Sequence, residues 1–181
     1  TSDKLLDKLE HGQIDLALLA LPYQTDKFHT QVLARDHFSL VHHKDYTPAK
    51  NVQDFNLLPD ASVFLLEREH CMTGHALSAC HLNRVSCINP FEAASLHTLL
   101  SMVEYQLGVT FLPQMAINAG ILDNKNMLAT PSANEAYREI GILWRKTTGR
   151  IRDFKLFSQQ LEVFLKHQCS LDFAKEAATS S

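Results

Sequence analysis

Between Gly12 and Pro22 runs Ile14-Asp15-Leu16-Ala17-Leu18-Leu19-Ala20-Leu21, an almost unbroken apolar stretch. A strand with one wet face would alternate polar and apolar residues, and a run this short cannot form a long helix. The pattern predicts a strand buried on both faces, as in a parallel sheet. Residues 62–66 and 109–113 repeat it, the second stopped by Pro113, and residues 140–144 form another such run.

Helix-period segments separate these runs. Residues 94–106 are the strongest, with Leu96, Leu99, Leu100, Met102 and Val103 on one face, Ser95 as the expected N-cap and Gly108 as the stop. Residues 2–11 carry Leu5, Leu6 and Leu9 at helical spacing before Gly12. In 151–166, Phe154, Leu156, Phe157, Leu161, Phe164 and Leu165 are all expected to be buried. Residues 71–82 are helix-compatible, and 114–120 suit a short helix. Residues 31–34, 38–42 and 84–88 read as strands, 44–61 and 123–135 as loops, and 174–181 as a frayed tail. Alternation of buried strands with amphipathic helices predicts an α/β fold with helices on both sheet faces.

At 181 residues the chain suits one or two lobes with a real core. A formal charge of -3 makes it a poor surface for wrapping duplex DNA. There is no apolar run long enough for a membrane helix and no charged-then-apolar leader, so the chain reads as cytoplasmic with no membrane partner. Four cysteines are too few for a disulfide-stapled secreted scaffold. In a reducing compartment they are packing residues, metal ligands or redox groups.

The chemically distinctive stretch is Leu65-Leu66-Glu67-Arg68-Glu69-His70-Cys71-Met72-Thr73-Gly74-His75-Ala76-Leu77-Ser78-Ala79-Cys80-His81. Cys71 follows a predicted strand where a helix would begin, and a helix N-terminus favours the thiolate. Arg68 and His70 add positive charge nearby. Cys80 lies nine residues on, roughly 13 Å away along a full helix, whereas a disulfide needs Cα atoms within about 7 Å. A bridge would therefore require local unwinding, which Gly74 makes easier. Two rival readings stand beside this one. The cysteines can be inert packing, or His70, Cys71, His75, Cys80 and His81 can supply a zinc site, Cys71 and His75 sharing a helix face at i,i+4. The zinc spacing matches no paired-knuckle pattern, and no metal or cofactor is expected. Cys87, in the strand-like run, and Cys169, near the tail, are expected to be unreactive, and the remaining histidines to be surface or satisfied polar residues.

The order of elements resembles the effector-binding domain of LysR-type transcriptional regulators. The resemblance rests on Leu5-Leu6-x-x-Leu9-x-x-Gly12-x-Ile14-Asp15-Leu16, on Ala94-Ser95-Leu96-x-Thr98-Leu99-x-x-Met102-Val103, on Leu107-Gly108-Val109-Thr110-Phe111-Leu112-Pro113 and on Ile140-Gly141-Ile142-Leu143-Trp144-Arg145. Leu65-Leu66-Glu67-x-x-His70-Cys71 with a second cysteine nine residues later is similar to the peroxide-sensing, OxyR-like group of that family. The resemblance implies two Rossmann-like subdomains of the type II periplasmic-binding-protein kind. Subdomain I would join 1–36 with 140–181, incomplete at its N-terminal side; subdomain II, 40–135, would carry the redox switch. The DNA-binding domain would be absent, so that promoter DNA would be reached only through it. It implies Cys71 as the peroxidatic thiol, oxidised to a sulfenic acid, and Cys80 as the resolving one. His70, Arg138 and Ser2 would line the peroxide pocket. Hydrogen peroxide would be the signal, and the chain would associate with itself as a homodimer, a tetramer at full length. Such a thiol turns over peroxide once per cycle, so the implied role is a sensor and not an enzyme. The alternative is a domain of the same family binding a small metabolite, with both cysteines as bystanders. Two departures stand out: Met72-Thr73-Gly74 replaces the usual Leu-Arg-Asp after the first cysteine, and Gln106-Leu107-Gly108 replaces Gly-x-Gly.

Overall fold

A computed structural model of the chain describes residues 2–21, 26–47, 55–67, 71–79, 84–131, 136–169 and 171–173. The chain divides into two compact units, residues 1–36 with 139–181 and residues 37–138. Helix α1 (Ser2–Glu10), strand β1 (Leu16–Leu21) and helix α5 (Ile151–Cys169) belong to the first unit. Strands β3 (Val63–Leu66), β4 (Ile88–Ala93), β5 (Val109–Pro113) and β6 (Met127–Pro131) belong to the second, with helices α2 (Cys71–Ala79), α3 (Leu96–Glu104) and α4 (Gln114–Asn118). Strands β2 (Phe28–His43) and β7 (Tyr137–Arg145) contribute residues to both. The tail expected to fray, 174–181, lies outside the described residues.

In the first unit, β1 pairs with β7 antiparallel, Leu16 opposite Trp144 and Leu21 opposite Glu139. The apolar run does form a strand, but its pairing direction differs from the parallel arrangement expected. It also stands at the end of the strand order, and Leu18 is 46% exposed. A continuous apolar run records burial and does not encode the direction of the neighbouring strand. The opposite face of β1 (Ala17, Leu19, Leu21) packs against Leu9 of α1, Phe28 and Leu143. Arg145 ties this corner together, donating from Nη1 to the carbonyls of Leu9 and Ile14 at 2.7 and 2.6 Å and pairing from Nη2 with Asp15 at 2.9 Å.

Helix α5 buries only part of what its composition suggests. Phe154 and Leu165 are buried, Leu161 is half-buried, and Leu156, Phe157 and Phe164 are exposed. The inward stripe is Phe154, Ser158, Leu161 and Leu165, at the 3.6-residue period. The other apolar residues fall off it. Ser158 is fully buried on that stripe because its hydroxyl donates to the Phe154 carbonyl at 2.8 Å.

In the second unit β2 is central, antiparallel to β5 on one side and to β6 on the other, while β3 lies parallel to both β5 and β4. Alternation along the strands builds two cores. Leu40, Val63, Leu65 and Phe111 point to one, which also holds Ala76 of α2. Val41 and Leu112 join Leu100 and Val103 of α3, and Phe64 and Leu66 join Leu99 of the same helix. Here the expectation of helices on both sheet faces is met.

Three local expectations change. Residues 31–34 and 38–42 are not two strands but parts of the sixteen-residue β2. The polar break Arg35-Asp36-His37 contains neither Gly nor Pro, and Asp36 is fully buried within the strand. Residues 127–131, inside the expected 123–135 loop, form β6 because the register opposite Ser39–His43 is available. Residues 85–87 form a 3-10 turn, and the strand begins only at Ile88. Arg84 and Ser86 both bind Asp60, and the Cys87 thiol donates to the Arg84 carbonyl at 2.9 Å, which curls the chain. Pro90 is tolerated in β4 because that strand ends the order.

Ser95 caps α3 as expected, its hydroxyl accepting from the Thr98 amide at 3.1 Å. At the other end Gln106 sits at φ +60°, the left-handed position where the family pattern has glycine. Side chains there cost roughly 1–2 kcal/mol. Gln106→Gly is therefore expected to stabilise the protein by about 1 kcal/mol, read as a raised urea midpoint with an unchanged slope.

Candidate functional site

Helix α2 follows β3 in the second unit and is fixed to it at its first turn. The Thr73 hydroxyl, buried, donates to the carbonyl of Leu66, the last residue of β3, at 2.8 Å. Ala76, also buried, packs into the core beside Phe38, Leu65 and Phe111. Cys71 is the first residue of α2, the position where the helix dipole favours an anion. His70, Arg68, Cys80 and His81 lie outside the described residues.

The helix runs without interruption from Cys71 to Ala79. Eight rises of 1.5 Å place those two Cα atoms about 12 Å apart. Cys80 is the next residue in sequence and lies outside the described residues. A disulfide needs about 7 Å or less. The two ends of α2 are thus too far apart to be bridged while the helix is intact. Gly74 is exposed, and a Cβ there would meet nothing within 4 Å, so its effect on α2 is purely on backbone freedom.

Arg138, on β7, belongs to the same unit as α2. Its Cζ stands 5.9 Å from the centroid of the Phe38 ring. Its charge also reaches His75 of α2: burial first, and then the Arg138 guanidinium, hold the His75 imidazole below the ordinary histidine pKa. Ser2 begins α1 in the first unit and is half-buried. The structure therefore brings Arg138 to the helix that Cys71 begins, while Ser2 is in the other unit. Sequence reasoning overlooked Thr73, seen only as a departure from the usual Arg; a hydroxyl in the first turn of a helix, able to reach back to the strand before it, was the available signal. Nothing local could have linked His75 to Arg138.

The other described cysteines are differently placed. Cys87 is fully buried, and burial pushes its thiol pKa up. Cys169 is in the last turn of α5 and partly exposed. Among the described residues no group of three or more His, Cys, Asp or Glu is placed to hold a metal ion. No helix among them is long and apolar enough to cross a membrane. Within the second unit a cavity touching Leu66, Thr73, Ala76 and Thr110 offers about 10 Å³ to the centre of a water-sized molecule, room for about one water.

The frame is thus two mixed α/β units, the first built from two chain segments and the second from one continuous segment, with a cysteine at the head of a helix in the second. The family described as "LysR substrate binding domain" matches residues 1–165, and the chain belongs to that family, with its type II periplasmic-binding-protein-like fold. It is similar to the HTH-type transcriptional regulator EstR of Acinetobacter baylyi, 36% identical over 148 residues, covering 81% of this chain and 49% of that protein. It is 32% identical over 151 residues to a probable hydrogen peroxide-inducible genes activator of Mycobacterium avium, covering 82% of this chain and 49% of that protein. Among solved structures it resembles the reduced form of the regulatory domain of OxyR2 from Vibrio vulnificus, at 44% identity and a TM-score of 0.83, covering 91% of this chain and 78% of that one. The chain spans about half the length of these curated relatives. The first is named a transcriptional regulator and the second a probable genes activator.

Proposed function

We propose that this chain is the redox-sensing part of a LysR-type activator that responds to hydrogen peroxide by reversible Cys71–Cys80 disulfide formation. The observation that carries the reading is Cys71 at the N-terminus of α2, and in this reading α2 unwinds to let Cys80 reach it. The thiolate attacks peroxide and becomes a sulfenic acid. Cys80 condenses with it and expels water, and the remodelled segment is the signal. Arg138 contributes positive charge near α2, and His70, next to Cys71 in sequence, is proposed to join it in the peroxide pocket. In this reading subdomain I comprises 1–36 with 140–181 and subdomain II comprises 40–135, in keeping with the division into 1–36 with 139–181 and 37–138. In the whole protein, self-association as a dimer or tetramer and an N-terminal DNA-binding domain would convert the change into altered promoter contact in the cytoplasm.

The metabolite-binding alternative is favoured by one fact, the 36% identity to EstR, whose name carries no reference to peroxide. Mass spectrometry after one equivalent of peroxide separates the two. The expected product is a Cys71–Cys80 bridge, absent in Cys71→Ser, with Cys87 unmodified because its thiol is buried and protonated. Unchanged thiols throughout would favour the metabolite. A dominant bridge through Cys87 or Cys169 would overturn the assignment.

A further inference from the structure

Helix α2 is continuous across Cys71 and His75, and helix positions four apart share a face with Cβ atoms about 5–6 Å apart. His75 is half-buried, next to Ala76, whose packing into the Phe38 core fixes the rotation of α2. Arg138 stands over that same Phe38 ring. Strand β3, on which α2 packs, is Val63-Phe64-Leu65-Leu66 and carries no titratable residue. Among the described residues, the charge acting on His75 is therefore that of Arg138, and its titratable neighbour one turn back on α2 is Cys71.

We propose that His75 is the acid–base partner of Cys71, accepting the thiol proton as the thiolate forms and returning it to the oxygen that leaves when peroxide is cleaved. The inference rests on the reading of Cys71 as the reactive thiol. Burial and the Arg138 charge keep the imidazole neutral at neutral pH, so a ring nitrogen is available to take a proton. The step balances: the thiol proton passes to His75, the sulfur attacks one peroxide oxygen, an S–O bond forms and the O–O bond breaks. The leaving oxygen departs as hydroxide and takes the proton from the imidazolium as water. Sulfur is oxidised to the sulfenic acid, the leaving oxygen is reduced, and His75 ends as it began.

The test uses the full chain carrying Cys80→Ser, so that the sulfenic acid persists, and follows its formation with hydrogen peroxide as a function of pH. The parent rate is expected to fall more steeply below the pKa of His75, which lies under the ordinary value of about 6.5. His75→Gln keeps a polar side chain of similar reach. It is expected to react roughly 10²–10⁴-fold more slowly at pH 7, as general acid–base groups contribute, and to lose the steep acid limb. Arg138→Gln removes the charge that lowers the histidine, so the acid limb should move to higher pH, a shift that loss of packing alone would not produce. If His75→Gln reacts within twofold of the parent, or slows while keeping the acid limb, the proposal is overturned although Cys71 remains the sensor. An acid limb that stays in place in Arg138→Gln also overturns it. If a different thiol is oxidised first in the parent, the underlying reading falls and the proposal falls with it.

Discussion

The disulfide-bridged protein is expected to melt roughly 5–10 °C below its reduced form, the reverse of an ordinary stabilising bridge. The expectation follows from what α2 holds in place. Bridging positions 71 and 80 must unwind a nine-residue helix, which contains about five i→i−4 hydrogen bonds worth about 1 kcal/mol each. It must also disturb Thr73, whose hydroxyl binds the Leu66 carbonyl, and Ala76, which is buried in the core. Against this loss, closing a loop of about ten residues restrains the unfolded chain by only about 2–3 kcal/mol. The net is about 2–3 kcal/mol in favour of the reduced state, and for a chain of this size each kcal/mol moves the midpoint by about 2–4 °C. The same strain makes the bridge easier to reduce, by about 30 mV for each 1.4 kcal/mol. Calorimetry of both forms, with Cys71→Ser as the form that cannot bridge, checks it. An oxidised protein that melts clearly higher and resists glutathione would make the bridge structural.

Gly108→Ala should be the most damaging small substitution in the second unit. A Cβ at this position would stand 2.1 Å from the carbonyl oxygen of Ser62 and 2.8 Å from the Phe64 ring. The first of these is backbone and cannot turn aside. The Ser62 carbonyl also accepts the Val109 amide at 2.8 Å, where β5 enters its parallel pairing with β3. Relieving the clash would pull the two strands apart at the point where both cores of the unit begin. Overpacking usually costs about 1–3 kcal/mol, and with backbone as the obstacle the loss is expected at about 3 kcal/mol or more. Trp144, the only tryptophan, is buried in the first unit, so its fluorescence reports that unit during urea unfolding while far-UV circular dichroism reports both. An Ala variant with an unchanged urea midpoint would contradict the close approach.

The elements written in local patterns were legible from sequence. Ser95 and the apolar stripe of 94–106 announced α3, because capping and the 3.6-residue period are properties of a few neighbouring residues. The run before Pro22 announced a strand for the same reason. Cys71 at the head of a helix with a second cysteine nine residues on was also legible, since spacing along one helix is a one-dimensional quantity. Wherever the outcome depended on a distant partner, the reading changed or stopped. The direction of β1 is set by β7, the existence of β6 by a free edge of β2, and the turn at 85–87 by Asp60. In α5 the exposed Phe157 and Phe164 are as apolar as the buried Phe154, and only the docked helix selects among them.

The amino-acid sequence by itself determined the class of fold, the family and the thiol at the head of α2, because these rest on hydrophobic period, helix termini and motif spacing along the chain. Only the tertiary structure decided that Thr73 anchors α2 to β3, that Arg138 reaches His75, and that Cys87 is shut away. Each of these depends on groups brought together through space by packing, and neither hydrogen-bond partners nor the field of a charge on another strand is encoded in local spacing.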